Sequence, residues 1–273
     1  MPVQRRLLIR PGAIGDTILW LPALECLRAG FTEVWVASAN VPLLRAADQV
    51  DSIAATGLDT LGLPDRPPRP GLIQRLGGFD SIVSWYGANR PDFRAAVQAA
   101  GLPVHFFQAL PPETGAVHAT DFYLAQARTL SGRVVDPTPH LACPRLDGGF
   151  AVIHPFSGSP KKNWPMERYR ELARQLSERL PVRWSAGPEE PLEDAVRFAD
   201  LYQLACWLAS ARLYIGNDSG ITHLAAAVGT PVVALFGPTD ARVWAPRGPR
   251  AMVLEDMANA TVSTVLAAAL MGQ

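Results

Sequence analysis

Polar and small side chains in residues 216–223 could bind a ligand. Asp218 and Ser219 are good helix N-caps, Gly220 lets a ligand approach backbone N–H groups, and His223 follows one turn later. Apolar runs at 213–215 and 232–236 are typical of buried parallel strands, with a helix between them. The cluster therefore lies in the connection between a strand and the following helix, at the sheet edge where ligands bind in open α/β folds. A simple helix cap is the alternative interpretation of Asp218.

A second cluster follows the strand predicted at 151–154. Ser157, Gly158 and Ser159 can present hydroxyl and backbone N–H groups to an anion, and Lys161 and Lys162 add positive charge. Of the 25 basic residues in the chain, these two are the only lysines. The composition indicates a diphosphate site without a Walker motif; an ordinary surface loop is the alternative.

The turn after the first strand carries Gly15, Asp16 and Thr17. It does not match the dinucleotide motif G-x-G-x-x-G, and no P-loop occurs in the chain. Asp16 is interpreted either as a helix N-cap or as a general base. A carboxylate with an ordinary pKa of ~3.9 is a weak ground-state base. It can nevertheless accept a proton from a hydroxyl that becomes acidic as it attacks.

Glu189 and Glu190 follow the strand predicted at 182–186. A carboxylate in that position can accept hydrogen bonds from a ribose diol, or it can serve as a first-turn charge of the next helix.

The sequence shows neither a D-x-D-like metal pair nor a His/Cys cluster, so no metal and no cofactor are expected. The charge of a leaving diphosphate would then be met by Lys162, hydroxyls and helix N-termini.

Strand-like and helix-like segments alternate along most of the chain, which predicts parallel sheets with helices on both faces. The linker at 136–149 divides the chain into two similar Rossmann-like domains, 1–145 and 146–273, the second binding a nucleotide and the first offering the reacting partner. Strands are expected at 7–10, 34–37, 52–55, 81–85, 104–107, 151–154, 182–186, 213–215, 232–236 and 252–254. Helices are expected at 16–29, 41–47, 91–100, 120–130, 165–180, 192–199, 202–209, 219–228 and 258–270.

Composition narrows the class of protein. The chain has 273 residues, 48% of them hydrophobic, and a formal net charge of zero. A balanced charge disfavours general nucleic-acid binding. Three distant cysteines fit a reducing compartment. The apolar run near the N-terminus is too short for a signal peptide, and no segment approaches the ~18 apolar residues of a membrane span. A cytoplasmic protein is expected, with transient membrane contact left open.

At these residues the sequence resembles glycosyltransferase family 9, the ADP-heptose:lipopolysaccharide heptosyltransferases. The family's motifs occur in order: Gly15-Asp16 after strand one, K-x-W-P at 162–165, D-[ST]-G-x-x-H at 218–223, and F-G-P-T-D at 236–240. The resemblance implies an α/β GT-B fold, two Rossmann-like domains with parallel sheets facing across a cleft. It also implies inverting, metal-independent heptose transfer from ADP-heptose to a sugar hydroxyl of the lipopolysaccharide core. A location at the inner face of the inner membrane is left open.

Family roles carry over residue by residue. Asp16 matches the proposed base and Lys162 assists catalysis, whereas Gly15 and Thr17 are expected to contact the acceptor. The expected donor contacts are Ser157, Gly158, Ser159, Lys161, Glu189, Glu190, Asp218, Ser219, Gly220 and His223.

The chain departs from the family between 187 and 202, where a helix-strand-turn that helps to enclose the adenine is missing. Two alternatives stay open: a GT-B protein that binds sugar nucleotides without catalysis, and a GT-B epimerase that needs no acceptor. A Rossmann oxidoreductase is less favoured, because the dinucleotide turn is missing.

Overall fold

The computed structural model describes residues 4–112 and 114–271. Within them the chain forms two compact units. The first contains the chain up to Ala13, Ala23–Pro112 and Phe122–Val135. The second contains Ile14–Pro22, the stretch between Pro112 and Phe122, and the chain from Asp136 onward. The predicted division into domains 1–145 and 146–273 stays a prediction.

The first unit is built on a five-stranded parallel sheet in the order β3-β2-β1-β4-β5. Its strands are β1 (Arg5–Arg10), β2 (Phe31–Val36), β3 (Gln49–Ser52), β4 (Ser81–Ser84) and β5 (Val104–Phe106). Its helices are the C-terminal part of α1 (Ile14–Leu27), α2 (Ile53–Thr56), α3 (Leu72–Leu76), α4 (Pro91–Ala99) and most of α5 (Ala119–Ser131), with short 3₁₀ helices at Ser38–Leu43 and Leu58–Thr60. The middle strand β1 is buried, and its Leu7 and Ile9 share a hydrophobic core with residues of α3 and α4.

The second unit has a five-stranded parallel sheet in the order β10-β9-β8-β6-β7. Its strands are β6 (Ala151–His154), β7 (Val182–Trp184), β8 (Leu213–Asn217), β9 (Val232–Leu235) and β10 (Ala251–Leu254). Its helices are α6 (Met166–Leu176), α7 (Leu201–Ala209), α8 (Gly220–Ala227), α9 (Ala241–Trp244) and α10 (Val262–Met271), with a 3₁₀ helix at Pro160–Lys162. The first two turns of α1 also belong to this unit.

Local chemistry explains where the helices of the second unit begin. Asp200 caps α7 by accepting from the backbone N–H groups of Tyr202 and Gln203. Ser219 caps α8 by accepting from Thr222, and Asp240 caps α9.

The hydrophobic core of the second unit contains the fully buried Trp164 and Tyr169 of the loop and helix after β6. Burial of such aromatic side chains stabilises the sheet by roughly 1.5–3 kcal/mol each.

Two predicted elements in the first unit are wrong. Residues 52–55 were expected as a strand, but β3 ends at Ser52 and the next four residues form α2. Gly57 ends that helix in the left-handed conformation, at φ 77°. Residues 41–47 were expected as an α-helix, but a 3₁₀ helix at Ser38–Leu43 takes their place. Pro42 lies inside it, and a proline has no N–H to extend an α-helical hydrogen-bond ladder.

The helix predicted at 192–199 is also wrong. Asp194 has a left-handed backbone, at φ 58°, which interrupts a right-handed helix. Val196 instead makes an isolated parallel bridge to Ser185 at the outer edge of β7. The guanidinium of Arg197 then donates to the carbonyls of Gly187, Glu190 and Leu192, which satisfies the loop's backbone. A single bridge therefore lies where the first sheet has its complete edge strand β3.

Candidate active site

The strand order places the site of the second unit. Chain direction across the sheet reverses between β6 and β8, because β7 lies on one side of β6 and the later strands lie on the other. In open parallel sheets, ligands bind at such a switch point beyond the carboxyl ends of the strands. The loop after β6 carries Lys162, and Asp218 follows β8 directly, so the sheet topology brings the two predicted clusters together.

Lys162, Asp218 and His223 form the charged centre of this site. Lys162 Nζ donates a hydrogen bond of 2.7 Å to Asp218 Oδ2, and the lysine side chain is 32% exposed whereas the aspartate is 7% exposed. His223 Nε2 lies 4.0 Å from Asp218 Oδ1. Burial is the largest cause that lowers the pKa of His223, to about 4, and so the imidazole is neutral at neutral pH. Its Nδ1 is buried without a hydrogen-bond partner among the described residues.

The N-terminal ends of α1 and α8 meet within the same unit. A Cβ added to Gly220 would lie 2.7 Å from Ile14 Cβ and 3.1 Å from the backbone N of Gly15. A Cβ added to Gly15 would lie 3.0 Å from His223 Cδ2. The two glycines therefore allow two helix N-termini to approach each other closely, which concentrates partial positive charge at one place.

Asp16 stands in the first turn of α1, beside this contact, and its side chain is half-buried. Its negative charge acts on His223 and opposes the lowering of the histidine pKa. Asp16, Lys162, Asp218 and His223 thus share one electrostatic environment. A carboxylate, an ammonium group and two helix N-termini at one sheet edge can together accept a proton and hold a diphosphate.

The side chain of Asn217, which is fully buried, makes hydrogen bonds to the loop between β6 and α6 and to the start of α6. Its Nδ2 donates to the carbonyl of Pro155 at 2.8 Å. Its Oδ1 accepts from the backbone N of Trp164 at 2.9 Å and from the hydroxyl of Tyr169 at 2.8 Å. All the amide's groups join the loop to the end of β8, so Asn217 fixes the loop that carries Lys162.

Within that loop, Ser157 Oγ lies 2.7 Å from Asn163 Oδ1 and accepts from the backbone N of Ser159 at 3.3 Å. The hydroxyl of Ser157 therefore shapes the loop. Gly158 is exposed, and a Cβ added there would meet nothing within 4 Å, so its backbone is open to a ligand. Lys161 is exposed beside it, on the same 3₁₀ helix as Lys162.

The two glutamates after β7 differ in their placement. Glu189 is exposed, whereas Glu190 is half-buried and its Oε2 accepts a hydrogen bond of 2.5 Å from the backbone N of Gly187. Oε2 also lies 3.9 Å from Nε2 of His154, at the end of β6. Of the two carboxylates, Glu190 is therefore the one turned towards the switch point. The sequence alone left this choice open.

A further histidine reaches this region from the stretch before α5. His118 Nδ1 accepts from the backbone N of Thr120 at 3.2 Å, so its proton lies on Nε2, which donates to the carbonyl of Ala245 at 3.0 Å. Burial is the largest cause that lowers the pKa of His118. Its charge, when present, lowers the pKa of His223.

Sequence reasoning missed His118 and Asn217. The position of Asn217, next to Asp218 at the end of a buried strand, was a usable signal. An isolated histidine in a loop gave none.

The predicted site residues differ in exposure. Asp218, Ser219 and His223 are buried at the end of β8 and the start of α8. Gly15, Asp16, Ser157, Ser159, Lys162, Glu190 and Gly220 are half-buried, and Gly158, Lys161 and Glu189 are exposed. Thr17 is fully buried inside α1. The roles assigned to these residues stay predictions. Among the described residues, no group of three or more His, Cys, Asp or Glu side chains could hold a metal ion.

Comparison with proteins of known sequence supports the resemblance. The model of the family "Glycosyltransferase family 9 (heptosyltransferase)" matches residues 116–266. Lipopolysaccharide heptosyltransferase 1 of Escherichia coli (strain K12) is 33% identical over 108 residues, which cover 34% of this chain and 33% of that protein. The chain thus matches only about a third of the length of this curated relative.

Solved structures show the same fold. A family 9 glycosyl transferase from Veillonella parvula DSM 2008 superposes with a TM-score of 0.77 at 19% identity, covering 98% of this chain and 97% of that one. The E. coli heptosyltransferase WaaC with ADP gives a TM-score of 0.73 at 18% identity, covering 99% and 100%. The predicted α/β GT-B fold, with two parallel-sheet domains, is confirmed. Since the family model also matches more than half of the chain, this protein belongs to glycosyltransferase family 9.

Proposed function

We propose that this protein is an inverting, metal-independent glycosyltransferase that moves a heptose from ADP-heptose to a sugar hydroxyl of a lipopolysaccharide core. The observation that carries the proposal is the shared environment of Asp16, Lys162, Asp218 and His223. One relative supports the donor: two solved structures of E. coli WaaC contain ADP and ADP-2-deoxy-2-fluoro heptose, respectively. The names of the curated relatives, which are lipopolysaccharide and lipooligosaccharide heptosyltransferases, support an acceptor of the lipopolysaccharide type.

The proposed reaction is a single displacement. The acceptor hydroxyl oxygen attacks C1 of the heptose, and the bond between C1 and the β-phosphate oxygen breaks as ADP leaves. The hydroxyl proton passes to the carboxylate of Asp16. Lys162 and the N–H groups at the start of α8 stabilise the negative charge that develops on the diphosphate. Attack opposite to the leaving group inverts the anomeric carbon.

The base assignment is tested with Asp16→Asn, which keeps the size of the side chain and removes the proton acceptor. We expect kcat for heptose transfer to a heptose-deficient core acceptor to fall by at least about 100-fold. The Kd for ADP should stay close to that of the parent protein, because the groups that are proposed to bind the diphosphate belong to other residues. Full turnover in the variant would remove Asp16 from this role.

Product analysis separates the remaining alternatives. Release of ADP only when the acceptor is present indicates a transferase, whereas conversion of ADP-heptose without an acceptor indicates an epimerase. Binding of ADP-heptose with no turnover under either condition indicates a binding protein. Undiminished transfer in EDTA would support metal independence, and the anomeric configuration of the product, read by NMR, would test inversion.

A cytoplasmic location at the inner membrane face remains part of the proposal. Within the described residues, none of the helices is long and apolar enough to cross a membrane.

A further inference from the structure

A buried hydroxyl in the first turn of α8 bonds to the neighbouring strand. Thr222 is fully buried, and its Oγ1 donates to the backbone carbonyl of Asn217 at 2.5 Å. A threonine inside a helix usually bonds to a carbonyl of its own helix, whereas Asn217 belongs to β8. A hydroxyl has one proton and a carbonyl only accepts, so this bond uses the proton of Thr222. Towards its other neighbours, Thr222 Oγ1 is therefore an acceptor.

Two further hydroxyl groups lie within hydrogen-bond distance of this acceptor. Tyr214 Oη lies 3.2 Å and Ser219 Oγ lies 3.1 Å from Thr222 Oγ1. Burial is the largest cause that raises the pKa of Tyr214, so the phenol keeps its proton and donates it. Ser219 likewise donates to Thr222, while its own oxygen accepts from the backbone N of Thr222 at 3.4 Å. The proton and both lone pairs of the threonine hydroxyl are thus all used.

This hydroxyl network connects the two groups that are proposed to bind the diphosphate. Asn217 ends β8, and its side chain makes hydrogen bonds to the loop that carries Lys162. The backbone carbonyl of the same residue accepts from Thr222, in the first turn of α8. Through Asn217, the loop and the N-terminus of α8 are therefore fixed to the same point of the sheet.

We propose that Thr222 is a positioning residue for nucleotide binding: its hydroxyl fixes the N-terminus of α8 relative to the loop that carries Lys162, so that both bind the same diphosphate. This inference rests on the proposed function. Backbone N–H groups at a helix N-terminus bind a phosphate well only when they point at its oxygens, because a hydrogen bond weakens steeply as its angle closes. Thr222 itself contacts no ligand in this proposal.

Isothermal titration calorimetry with ADP on Thr222→Val and Thr222→Ser tests this role. Valine keeps the shape of the side chain and removes the hydroxyl, whereas serine keeps the hydroxyl. We expect the Kd for ADP to rise by about 10-fold in Thr222→Val and to stay within about twofold of the parent value in Thr222→Ser. The thermal midpoint of Thr222→Val should also fall, because two buried hydroxyls and a carbonyl lose their partner.

A matched control separates positioning from a general loss of stability. Thr230 is also buried, and its Oγ1 donates to the carbonyl of Leu208 at 2.6 Å. It precedes β9 at the amino edge of the same sheet, opposite the site. Thr230→Val should therefore lower the midpoint and leave the Kd for ADP unchanged. If Thr222→Val folds and behaves in the same way as this control, the inference is overturned.

Tyr214→Phe provides a second variant, which decides the matter if Thr222→Val does not fold. It removes one donor to Thr222 and keeps the hydrogen bonds of Thr222 to Asn217 and Ser219. We expect the Kd for ADP to rise by about threefold. An unchanged Kd in this variant would contradict positioning by the network.

Failure of this inference is distinguishable from failure of the proposed function. If the parent protein binds ADP and the folded variants bind it equally well, only the positioning role fails. If the parent protein does not bind ADP, the donor assignment fails and the inference fails with it.

Discussion

At the scale of single residues, one ion pair defines the charge of the site. Asp218 is almost fully buried, and its carboxylate holds the ammonium group of the partly exposed Lys162. A buried carboxylate needs such a partner, because removal of a charge from water is unfavourable unless the charge is paired. A diphosphate that enters the site carries negative charge as well, and it competes with Asp218 for the same ammonium group.

Lys162→Ala should therefore weaken ADP binding. Loss of a hydrogen bond to a charged group amounts to about 1.5–3 kcal/mol, which corresponds to a Kd increased by roughly 10- to 100-fold. Isothermal titration calorimetry measures the change. Lys161→Ala is the matched comparison, because it removes the same charge from the exposed neighbouring residue. Equal losses in the two variants would show that only the overall charge of the loop matters.

The buried His223 predicts how stability depends on pH. Its pKa is lowered from 6.5 to about 4, chiefly by burial. Between these values the unfolded chain binds more protons than the folded protein, so the free energy of unfolding falls as the pH is lowered from 6.5 to 4. The full contribution is on the order of 3 kcal/mol. Above pH 6.5 it is constant.

Urea unfolding of the parent protein and of His223→Gln across this pH range provides the measurement. The glutamine does not titrate, so the variant should lose less stability on acidification. A remaining pH dependence is expected, because His118 and His154 also have lowered pKa values. Identical pH dependence in the two proteins would show that the imidazole of His223 does not control acid stability.

At the scale of elements, the site depends on two helix N-termini that approach through glycines. Ser219 caps α8, and Gly220 begins it without a side chain, so α1 can pack against its first turn. On the other side, Asn217 connects the end of β8 to the loop after β6. Rigid helices and strands therefore position the groups that are expected to bind the donor.

Gly220→Ala should destabilise the protein by about 1–3 kcal/mol, since its Cβ would overlap with Ile14 and with the backbone of Gly15. The free energy of unfolding in urea measures this effect. Gly158→Ala is the comparison: its Cβ meets nothing within 4 Å, so stability should be unchanged, but ADP affinity should fall where a phosphate approaches the backbone. A fully stable Gly220→Ala variant would contradict the close helix contact.

At the scale of the whole molecule, the two sheets have the same strand connectivity but differ at one edge. The first sheet has β3 as its edge strand, whereas beyond β7 the second has a single bridge at Val196. This edge lies in the stretch 187–202, where the resemblance predicts that a segment enclosing the adenine is missing. The preference for the base therefore has to be measured.

Thermal unfolding with ADP, GDP, UDP and NAD measures that preference. A ligand that binds only the folded protein stabilises it by about 2.7 kcal/mol at 100 times its Kd. We expect ADP to raise the unfolding midpoint more than any of the other three at equal concentration. Equal shifts with ADP and GDP would mean that the shortened region does not recognise adenine, and a shift only with NAD would contradict a sugar-nucleotide site.

The alternation of apolar segments was enough to predict most strands and the parallel sheets, because buried strands leave continuous apolar runs bounded by glycine and proline. The errors at 41–47, 52–55 and 192–199 have a common cause. These are short segments at connections or sheet edges, where a proline, a left-handed residue or a backbone bridge outweighs local propensity.

The sequence by itself determined the family motifs and the polar clusters around Lys162 and Asp218, because motifs at strand ends depend only on local order along the chain. The tertiary structure decided which groups meet. It paired Lys162 with Asp218, placed Glu190 instead of Glu189 beside His154, and brought His118 and Asn217 into the site. Those contacts join residues far apart in sequence, and only the packing of strands and helices brings them within reach of each other.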